Sequence, residues 1–593
     1  MIKLSDYVMK FVAGQGIKEI FMLPGGGCMH LVDSLGANKK LRFIPVLHEQ
    51  AAAIAADASA QYTGKPGAVL VTTGPGGTNT VTGVAASWID STPVIYFSGQ
   101  AKRADLLKGR GVRQMGVQEV DVVTVVGSIT KYAATVMRPE EIRYHLEKAL
   151  YLATEGRKGP VWIEIPLDVQ GSMIDENKLK GFTPAKNTPK KPDIAQCVKL
   201  LQAAKRPVIL AGNGIRMAGA KAKFLKLIRK LNIPVLTTWR AADLLPENDP
   251  LYFGRPGSVG QRAANFIQQN SDLLITLGAR LDLPQVAFDY KNFAREAKKI
   301  IVDIDAAEIR KMGFKKDVAV NSDAGVFIEL LLKRAKPSGA KKWLEWCGRL
   351  KKLYPVPDKS SLQTSGKFIN TYSLIDALSK QLTSRDILVP GSSGSCAEVT
   401  MQTIKIKKGL RVLNTPGLGS MGFGLPAGIG ACVASGRRTI GVVGDGGLQH
   451  NIQELETIKR LGLPYKLFIL NNNGYGSIRM MQTRHFKGRL VSCDPTSGLT
   501  VPDTLKIAAA YGIKTRRITV KNNLEKAVKE VLASKGPVIC DVEVEPMLET
   551  APRVSSAVLP DGRIVSKPLE DLWPFLEREE FLAGMLIAPA DEA

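Results

Sequence analysis

Two short apolar runs in the last third of the chain, each ending in polar residues, predict a pair of buried parallel strands. Residues 439–443 run into GDGG at 444–447, and residues 466–470 run into NNNG at 471–474. Between them, apolar residues recur at helical spacing, at Ile452, Leu455, Ile458 and Leu461. The pattern predicts a β-α-β unit whose two strands end at the same edge of one sheet.

The same alternation of apolar runs and helical patterns predicts three units along the chain. In the first unit, residues 1–176, the apolar runs are 19–23, 43–47, 68–72, 94–97 and 161–165. In the second unit, residues 194–335, they are 207–211, 234–237, 273–277 and 299–304. The third unit, residues 367–550, holds the β-α-β unit described above. The predicted fold class is therefore α/β, with three doubly wound parallel-sheet domains. The first and third units are candidates for two versions of one fold.

Two polar stretches and a tail lie outside these units. Residues 177–193 and 336–366 are rich in lysine, proline, serine or threonine, which predicts linkers. The C-terminal tail, residues 551–593, contains apolar and acidic residues but no recognisable chemical motif.

Composition places the chain among ordinary globular proteins. Its 593 residues are 45% hydrophobic and 23% charged. No run approaches the roughly 20 apolar residues of a membrane-spanning helix, and the N-terminal segment predicts an amphipathic helix without the features of a signal peptide. The seven cysteines form no CxxC pair. This pattern argues against a zinc site or a disulfide framework and favours the reducing cytoplasm.

The net charge of +26 raises the question of nucleic-acid binding. The lysines are spread through the chain, with only short clusters at 190–191 and 405–408, and no aromatic residues interleave them. We therefore expect no nucleic-acid partner. A solvated basic surface that attracts anionic substrates explains the charge better.

Asp445 and Asn472 follow the two apolar runs of the third unit and are predicted to lie close together. Ligands gather at the carboxyl ends of parallel strands. Both side chains offer oxygen ligands, and the glycines beside Asp445 let the backbone approach a diphosphate. This combination suits Mg²⁺, which takes one or two side chains together with phosphate oxygens and water.

The GDG sequence followed by an asparagine 27 residues after Asp445 resembles the thiamine diphosphate fingerprint. From Met1 to about residue 545, the order of motifs resembles the acetohydroxyacid (acetolactate) synthases and related carboligases. The motifs are LPGGG, LHEQAAA, TTGPGGTN, GVQEVD, KGPVWIEIPLDV, GARLD, GLGSMGFGLPAGIGA and GDGG…NIQELETI…LNNNGYG. The resemblance implies pyrimidine-binding, central and diphosphate-binding domains, and it implies thiamine diphosphate and Mg²⁺ as cofactors.

The resemblance also assigns the residues that would hold these cofactors. Asp445, Asn472 and Gly474 would bind the metal. Gly419 would accept from the 4′-amino group of the cofactor, and Met421 would wedge the cofactor into a bent shape, with ordinary core packing as the alternative for Met421. The other cofactor-binding residues implied are Gly25, Gly76, Asn79, Ser393, Gly394, Ser395, Gly444, Gly446, Gly447 and Tyr475. For the glycine loops, tight turns between strands and helices are a second explanation.

Glu49 is the expected catalytic carboxylate of the first unit. Taken alone, it would be a helix N-cap residue that interacts with the helix dipole. The resemblance instead places it against N1′ of the aminopyrimidine ring, where a shared proton lets the 4′-amino group act as a base at C2. Burial, which raises a carboxyl pKa, favours such sharing. Gln118 is a candidate polar group near the reacting centre, and the Gly26 amide a candidate oxyanion donor.

Four positions depart from acetolactate synthases. Val117 stands where they have the Phe of the FQE motif, and Leu167 where they have a lysine. Ser477 and Met481 replace a methionine and a tryptophan that shape the acceptor pocket. A different acceptor and a merely divergent acetolactate-forming pocket both remain open.

FAD is the third cofactor considered. Arg157 occupies the position of an FAD-binding arginine in flavoenzymes of the family. However, their GARFDDR sequence is altered here by Leu281, Leu283 and Pro284. The GNG at 212–214 is only a weak nucleotide signal. Bound flavin and an empty or vestigial nucleotide site therefore both remain open.

The expected activity is that of a carboligase. It would decarboxylate a 2-oxo acid, with pyruvate as the expected donor, and transfer the resulting unit to a second carbonyl compound. The alternatives are a 2-oxo acid decarboxylase, a flavin-dependent oxidase and a non-catalytic scaffold. The adjacent histidine pair of many decarboxylases is missing, since the five histidines are dispersed. The resemblance also implies a homodimer or homotetramer with active sites shared between subunits.

Overall fold

Apolar runs bounded by glycine or polar turns form the strands of three parallel sheets, each covered by helices. The computed structural model describes residues 1–107, 109–185, 192–358, 361–362, 366–391, 393–558 and 563–590. Parts of both predicted linkers (186–191, 359–360 and 363–365) and of the predicted tail (559–562 and 591–593) lie outside the described residues.

The first unit contains a six-stranded parallel sheet in the order β3-β2-β4-β5-β7-β6, with β1 and β8 paired separately and antiparallel. Its strands are β1 (Ile2–Lys3), β2 (Glu19–Met22), β3 (Arg42–Pro45), β4 (Gly67–Val71), β5 (Val94–Gln100), β6 (Tyr132–Thr135), β7 (Val161–Pro166) and β8 (Met173–Ile174). Its helices are α1 (Leu4–Gly14), α2 (Met29–Ala37), α3 (Glu49–Thr63), α4 (Pro75–Ile89), α5 (Val122–Val126), α6 (Ile142–Thr154) and α7 (Leu167–Gln170).

The second unit contains a five-stranded parallel sheet in the order β10-β9-β11-β12-β13. Its strands are β9 (Pro207–Ala211), β10 (Val235–Thr237), β11 (Leu273–Leu277), β12 (Lys298–Asp303) and β13 (Val318–Asn321). The helices of this part of the chain are α8 (Ala195–Ala203), α9 (Gly214–Met217), α10 (Lys221–Leu231), α11 (Arg262–Gln269), α12 (Ala306–Arg310), α13 (Ala324–Arg334) and α14 (Lys341–Leu353).

Helix α14 corrects the prediction of a linker over 336–366. Trp343, Cys347 and Leu350 repeat at helical spacing and are buried on one face, while lysines occupy the other. The Trp343 indole donates to the Pro207 carbonyl at 3.1 Å, at the start of β9. The segment is therefore an amphipathic helix that covers the second sheet.

The third unit contains a six-stranded parallel sheet in the order β15-β14-β16-β17-β19-β18. Its strands are β14 (Ile387–Pro390), β15 (Arg411–Val412), β16 (Thr439–Gly444), β17 (Tyr465–Asn471), β18 (Lys514–Ile518) and β19 (Val538–Glu543). Its helices are α15 (Thr371–Gln381), α16 (Ser395–Thr403), α17 (Gly424–Ser435), α18 (Asp445–Leu448), α19 (Leu455–Arg460), α20 (Gly476–His485), α21 (Thr504–Ala510) and α22 (Leu524–Ala533). The first and third sheets share one strand order when each is counted along the chain, namely second, first, third, fourth, sixth and fifth.

The segment between β16 and β17 differs from the single helix predicted for it. It consists of α18, a 3₁₀ segment over Gln449–Glu454, and α19. The break falls at Asn451, whose backbone angles are not helical (φ −142°, ψ 26°). Its side chain donates to the Gly422 carbonyl at 3.0 Å, so a tertiary contact replaces regular helix geometry there.

Helices α3 and α17 join the first and third units. Both consist largely of buried small residues, and a β-carbon on Gly430 would overlap the carbonyl of Ala55. One hydrophobic cluster runs through both units. The close contact between the two helices therefore depends on glycine and alanine rather than on large side chains.

The tail packs against the second unit. It forms the hairpin β20 (Ser556–Val558) and β21 (Ile564–Ser566), followed by helix α23 (Arg578–Ala583). The Arg262 guanidinium donates to the Leu572 carbonyl at 3.1 Å, and Phe581 packs on Phe266. Within the described residues, no helix combines the length and apolar character that crossing a membrane requires.

Candidate active site

Asp445 lies at the end of β16, next to the end of β17. Its carboxylate accepts from the amides of Gly446 at 2.9 Å and of Gly474 at 3.0 Å, so it fastens the two loops together. Burial raises the pKa of Asp445 to about 6, with the amide hydrogen bonds acting in the opposite direction. The carboxylate predicted as a metal ligand is therefore held in a fixed position between the two strand ends.

Asn472 follows β17 and has an amide oxygen that is buried and makes no hydrogen bond among the described residues. The Arg479 guanidinium holds the loop by donating to the Asn472 carbonyl at 2.8 Å. The Gly474 carbonyl lies 3.4 Å from where a β-carbon on Gly446 would stand, and such a carbon would also press on the ring of Tyr475. Gly446 must therefore be glycine for this packing.

The donor set at this site consists of oxygen atoms only. Among the described residues, no group of three or more His, Cys, Asp or Glu side chains is placed to hold a metal. One carboxylate, one free amide oxygen and one backbone carbonyl instead suit Mg²⁺, which completes its shell with phosphate oxygens and water. The site therefore fits the metal implied by the sequence.

Glycines beside these ligands leave space for a ligand. A β-carbon on Gly444 or Gly447 would meet no atom within 4 Å. Gly394 has φ +63°, and Ser395, which follows it, begins helix α16. A β-carbon on Gly394 would overlap the hydroxyl of Ser477, so the predicted diphosphate loop touches the start of α20. These loops fit the diphosphate cradle that the sequence predicts.

The loop before α17 carries the two other predicted cofactor residues of the third unit. Gly419 has φ +65°. Met421 is 39% exposed, which does not support the alternative that it is an ordinary core residue. Gly422 follows with φ +83° and packs closely on His450 and Asn451. The loop is thus fixed at Gly422 and presents Met421 at the surface.

Glu49 is the first residue of α3 and is only 5% exposed. The N-cap is His48, whose ring nitrogen accepts from the Gln50 amide at 3.1 Å, so Glu49 is not the N-cap residue. The Asn79 amide group donates to the Glu49 carboxylate at 2.9 Å. Two residues predicted for the cofactor site thus form a hydrogen-bonded pair in the first unit, with Glu49 buried and Asn79 exposed.

Two glycine-rich loops pack against each other beside this pair. β-Carbons on Gly25 and Gly27 would overlap the side chains of Thr72 and Thr73, whereas one on Gly26 would meet nothing within 4 Å. The hydroxyls of both threonines are buried without a hydrogen-bond partner among the described residues. Gly76 is buried next to Thr72. Close packing in tight turns therefore explains why residues 25 and 27 are glycines. A side chain at Gly26 would instead extend into open space.

Gln118 lies on an exposed loop and adopts φ +57°, a conformation that L residues rarely take. Its carbonyl sits where a β-carbon of Gly74 would be. The neighbouring Glu119 carboxylate is buried and accepts from the amides of Leu107 at 2.6 Å, Gly116 at 2.8 Å and Met115 at 3.2 Å. Sequence reasoning missed this role for Glu119, because its partners are backbone amides that leave no sequence signal.

Among the described residues of one chain, the two halves of the predicted site share no hydrogen bond or ion pair, since none joins Glu49 to Asp445, Asn472 or Gly474. The units are instead connected nearby, where the Leu47 amide donates to the carboxylate of Glu454 at 2.9 Å. Glu454 is a second residue that the sequence did not single out individually.

A cavity of about 1380 Å³ lies where the three units meet. Its wall includes Arg157, Gly214, Arg280, Asp303, Ser393 and Gly419. Arg157 donates to Ser91 at 3.0 Å, Asp305 at 3.0 Å and Glu308 at 2.6 Å. Burial raises the pKa of Asp303 to about 6. The predicted FAD arginine therefore does line a large cavity, but carboxylates already bind its guanidinium.

Models of three thiamine pyrophosphate enzyme domains match the chain. The N-terminal TPP binding domain matches residues 2–125, the central domain matches 194–331, and the C-terminal TPP binding domain matches 392–542. The matched regions correspond in order to the three parallel sheets.

Curated relatives match almost the whole chain. A protein of Methanocaldococcus jannaschii named "Probable acetolactate synthase large subunit" is 34% identical, with 95% of each chain covered. The acetolactate synthase isozyme 2 large subunit of Escherichia coli is 32% identical, over 96% of this chain and 99% of its own. The chloroplastic acetolactate synthase of Arabidopsis thaliana is 32% identical, over 95% of this chain and 85% of its own. The chain is therefore an enzyme of the acetolactate synthase family of thiamine pyrophosphate enzymes.

Proposed function

We propose that this enzyme is a thiamine diphosphate- and Mg²⁺-dependent carboligase that decarboxylates a 2-oxo acid, with pyruvate as the expected donor, and joins the remaining unit to a second carbonyl compound. The observation that carries the proposal is the oxygen donor set at the ends of β16 and β17. Its buried Asn472 amide oxygen has no hydrogen-bond partner among the described residues and suits a metal ligand.

Asp445, Asn472 and the Gly474 carbonyl would hold Mg²⁺ in this proposal. The open faces of Gly444 and Gly447 and the loop at Gly394 would receive the diphosphate, and Tyr475 closes one side of the site. Thiamine diphosphate supplies the carbon nucleophile and accepts the electrons released on decarboxylation.

Glu49 would act on the aminopyrimidine ring by sharing a proton with its N1′ atom. Its carboxylate is buried and, among the described residues, hydrogen-bonds to Asn79, which leaves carboxylate oxygen available for that contact. The Gly419 carbonyl would accept from the 4′-amino group, and Met421 would support the bent form of the cofactor. The Gly26 amide and the Gln118 side chain would stabilise negative charge that develops on the substrate oxygen.

A second copy of the chain would complete each active site. The support is that no hydrogen bond or ion pair joins Glu49 to the proposed metal ligands in the described part of one chain. The relatives named large subunits are, by that name, parts of assemblies. We therefore propose a homodimer or homotetramer. The cytoplasmic location predicted from the sequence stays a prediction.

The acceptor site is where this chain departs most from its relatives. Val117 is 86% exposed on the loop that carries Gln118, and Met481 is also exposed on α20. Ser477 touches the loop at Gly394 and is smaller than the methionine it replaces. These contacts support an acceptor pocket that is more open than in acetolactate synthases, so the acceptor is either a 2-oxo acid or a larger aldehyde or ketone.

FAD is proposed as a bound dinucleotide without a step in the reaction. The volume of the cavity supports it, and so does the position of Arg157 on the cavity wall. A diphosphate would have to displace Asp305 or Glu308 from Arg157. Yellow purified protein, with flavin released on denaturation, would support this assignment, and colourless protein would refute it.

The experiment that tests the proposed function is mass spectrometry of the products formed from pyruvate with thiamine diphosphate and Mg²⁺. The reaction should be run alone and with a panel of carbonyl acceptors. Ligated products are expected, and acetolactate from pyruvate alone would identify a second pyruvate as the acceptor. Carbon dioxide and free acetaldehyde without ligation would indicate a decarboxylase, and an oxidised two-carbon product would indicate an oxidase. Either result would refute the carboligase.

A further inference from the structure

The motif NIQELETI, residues 451–458, directly follows the metal-binding sequence but supplies none of the proposed ligands. Side chains in and just before this motif contact three segments that carry residues proposed for the active sites. Gln449, just before it, donates to the Asp445 carbonyl at 3.2 Å, and Asn451 donates to the Gly422 carbonyl at 3.0 Å. Glu454 accepts from the Leu47 amide at 2.9 Å. The segment thus links the metal loop, the Met421 loop and the Glu49 turn.

Glu454 is the member of this motif that reaches the first unit. Its carboxylate is completely buried, and its second oxygen accepts from the Thr457 hydroxyl at 2.6 Å. Burial raises the pKa of Glu454. Burying a carboxylate costs free energy unless hydrogen bonds compensate for the lost water. Here the Leu47 amide and the Thr457 hydroxyl supply those hydrogen bonds.

The position of Leu47 gives the contact its significance. Strand β3 ends at Pro45 and α3 begins at Glu49, so Leu47 lies in the turn between them. The Val46 amide donates to the Met22 carbonyl at 3.0 Å, which fixes the start of the turn in the first unit. The Leu47 amide is bound instead by Glu454 of the third unit.

We propose that Glu454 is a positioning residue for Glu49: by binding the Leu47 amide it fixes the turn from which Glu49 projects toward the aminopyrimidine ring. This inference rests on the proposed function. Without the carboxylate, the turn would lose its hydrogen bond from the third unit, and the Glu49 carboxylate would lose its alignment with N1′. The Asn79 contact holds the side chain of Glu49 and does not replace a contact that holds its backbone.

The competing explanation is that Glu454 only fastens the two units together. Arg460 provides a matched control, because it ends α19, the helix that begins directly after Glu454, and it donates to the Pro45 carbonyl at 2.6 Å, in the same stretch of the first unit. If the contact only joins the units, Glu454→Ala and Arg460→Ala should have similar consequences. If Glu454 positions Glu49, only Glu454→Ala should affect the proton chemistry of the cofactor.

The test measures exchange of the C2 proton of bound thiamine diphosphate in D₂O, by rapid acid quench and proton NMR, in the Mg²⁺-loaded full-length enzyme. Glu454→Ala should slow exchange by about 10- to 100-fold, the range expected for misplacing a catalytic group by about 1 Å. Glu454→Gln, which still offers an oxygen to Leu47, should stay within about threefold of the wild type. Arg460→Ala should match the wild type. Cofactor affinity, measured by calorimetry, should be unchanged in all three variants.

The outcomes separate the inference from the function on which it rests. Wild-type exchange in Glu454→Ala, or equal slowing in Arg460→Ala, would overturn the positioning role. Wild-type exchange in Glu49→Gln would instead overturn the proposed function itself. If Glu454→Ala fails to fold, Thr457→Val removes only the hydroxyl that orients the carboxylate. Slower exchange in that variant is then expected, and unchanged exchange would overturn the inference.

Discussion

The amide oxygen of Asn472 is buried and makes no hydrogen bond within the described residues, although its backbone is held by Arg479. A buried polar atom without a partner lowers stability. A metal ion would supply the missing partner. The same argument does not apply to Asn473, which is exposed and adopts φ +59°, a conformation that also suits glycine.

The neighbouring asparagines allow a matched test of the metal site. Asn472→Ala should weaken Mg²⁺ binding by at least about 10- to 100-fold, because even residues that only support a metal ligand have effects of that size. Asn473→Gly should leave the affinity unchanged. Calorimetric titration of Mg²⁺ in the presence of thiamine diphosphate measures both. Equal affinities in the two variants would exclude Asn472 as the ligand.

At the residue scale, the sequence indicates side chains that belong to local motifs. Asp445, Asn472 and Glu49 each follow an apolar run, so strand patterns alone place them at sheet edges. Glu119 and Glu454 could not be found in this way. Glu119 binds backbone amides, and Glu454 binds an amide that lies in another unit, so only the folded chain brings these groups together.

At the element scale, the apolar runs predicted buried strands and the edge strands β3 and β10, but not the edge strands β6 and β18. A strand covered on both faces is a continuous apolar run, as in β4 and β16. Strand β6 is only half-buried, and β18 is mostly exposed and contains Lys514, Arg516 and Arg517. Their composition does not distinguish them from loops, because pairing with a neighbouring strand determines their conformation.

The contact between α3 and α17 leads to a prediction for Gly430. A methyl group there would overlap the Ala55 carbonyl, so Gly430→Ala should destabilise the protein by about 1–3 kcal/mol. Gly348, within α14, is the control, since a β-carbon there meets nothing within 4 Å. Gly348→Ala should stabilise its helix by up to about 1 kcal/mol. Thermal unfolding of both variants measures these opposite shifts, and a downward shift in both would contradict the argument.

At the scale of the whole molecule, buried ion pairs join the three units. Asp90 of the first unit lies 3.2 Å from Arg240 of the second. Asp243 of the second unit accepts from the Arg411 guanidinium of the third at 2.7 Å and also binds Arg216. Burial alone would raise the pKa of Asp243, but Arg216 and Arg411 outweigh it and hold the pKa below its usual value. These ion pairs between units form only when the chain folds, so no local sequence pattern predicts them.

Asp243 should therefore make the stability of the molecule depend on pH. A carboxyl group with a lowered pKa stabilises the folded state above its unfolded pKa of 3.8, and this contribution is lost as the pH falls through the folded value. Asp243→Asn should lower the unfolding temperature at pH 5–7, because removing one partner of a buried ion pair costs about 3–5 kcal/mol. The difference from the wild type should shrink below about pH 4. A difference that grows toward acid would contradict the assignment.

The most direct test of the central claim is the rate of product formation from pyruvate by wild-type enzyme and Glu49→Gln, each saturated with thiamine diphosphate and Mg²⁺. If Glu49 shares its proton with the cofactor, the wild type forms a ligated product. The variant should bind the cofactor but lose activity by at least about 100-fold, the size of a general acid–base contribution. Equal rates in the two proteins would contradict the account.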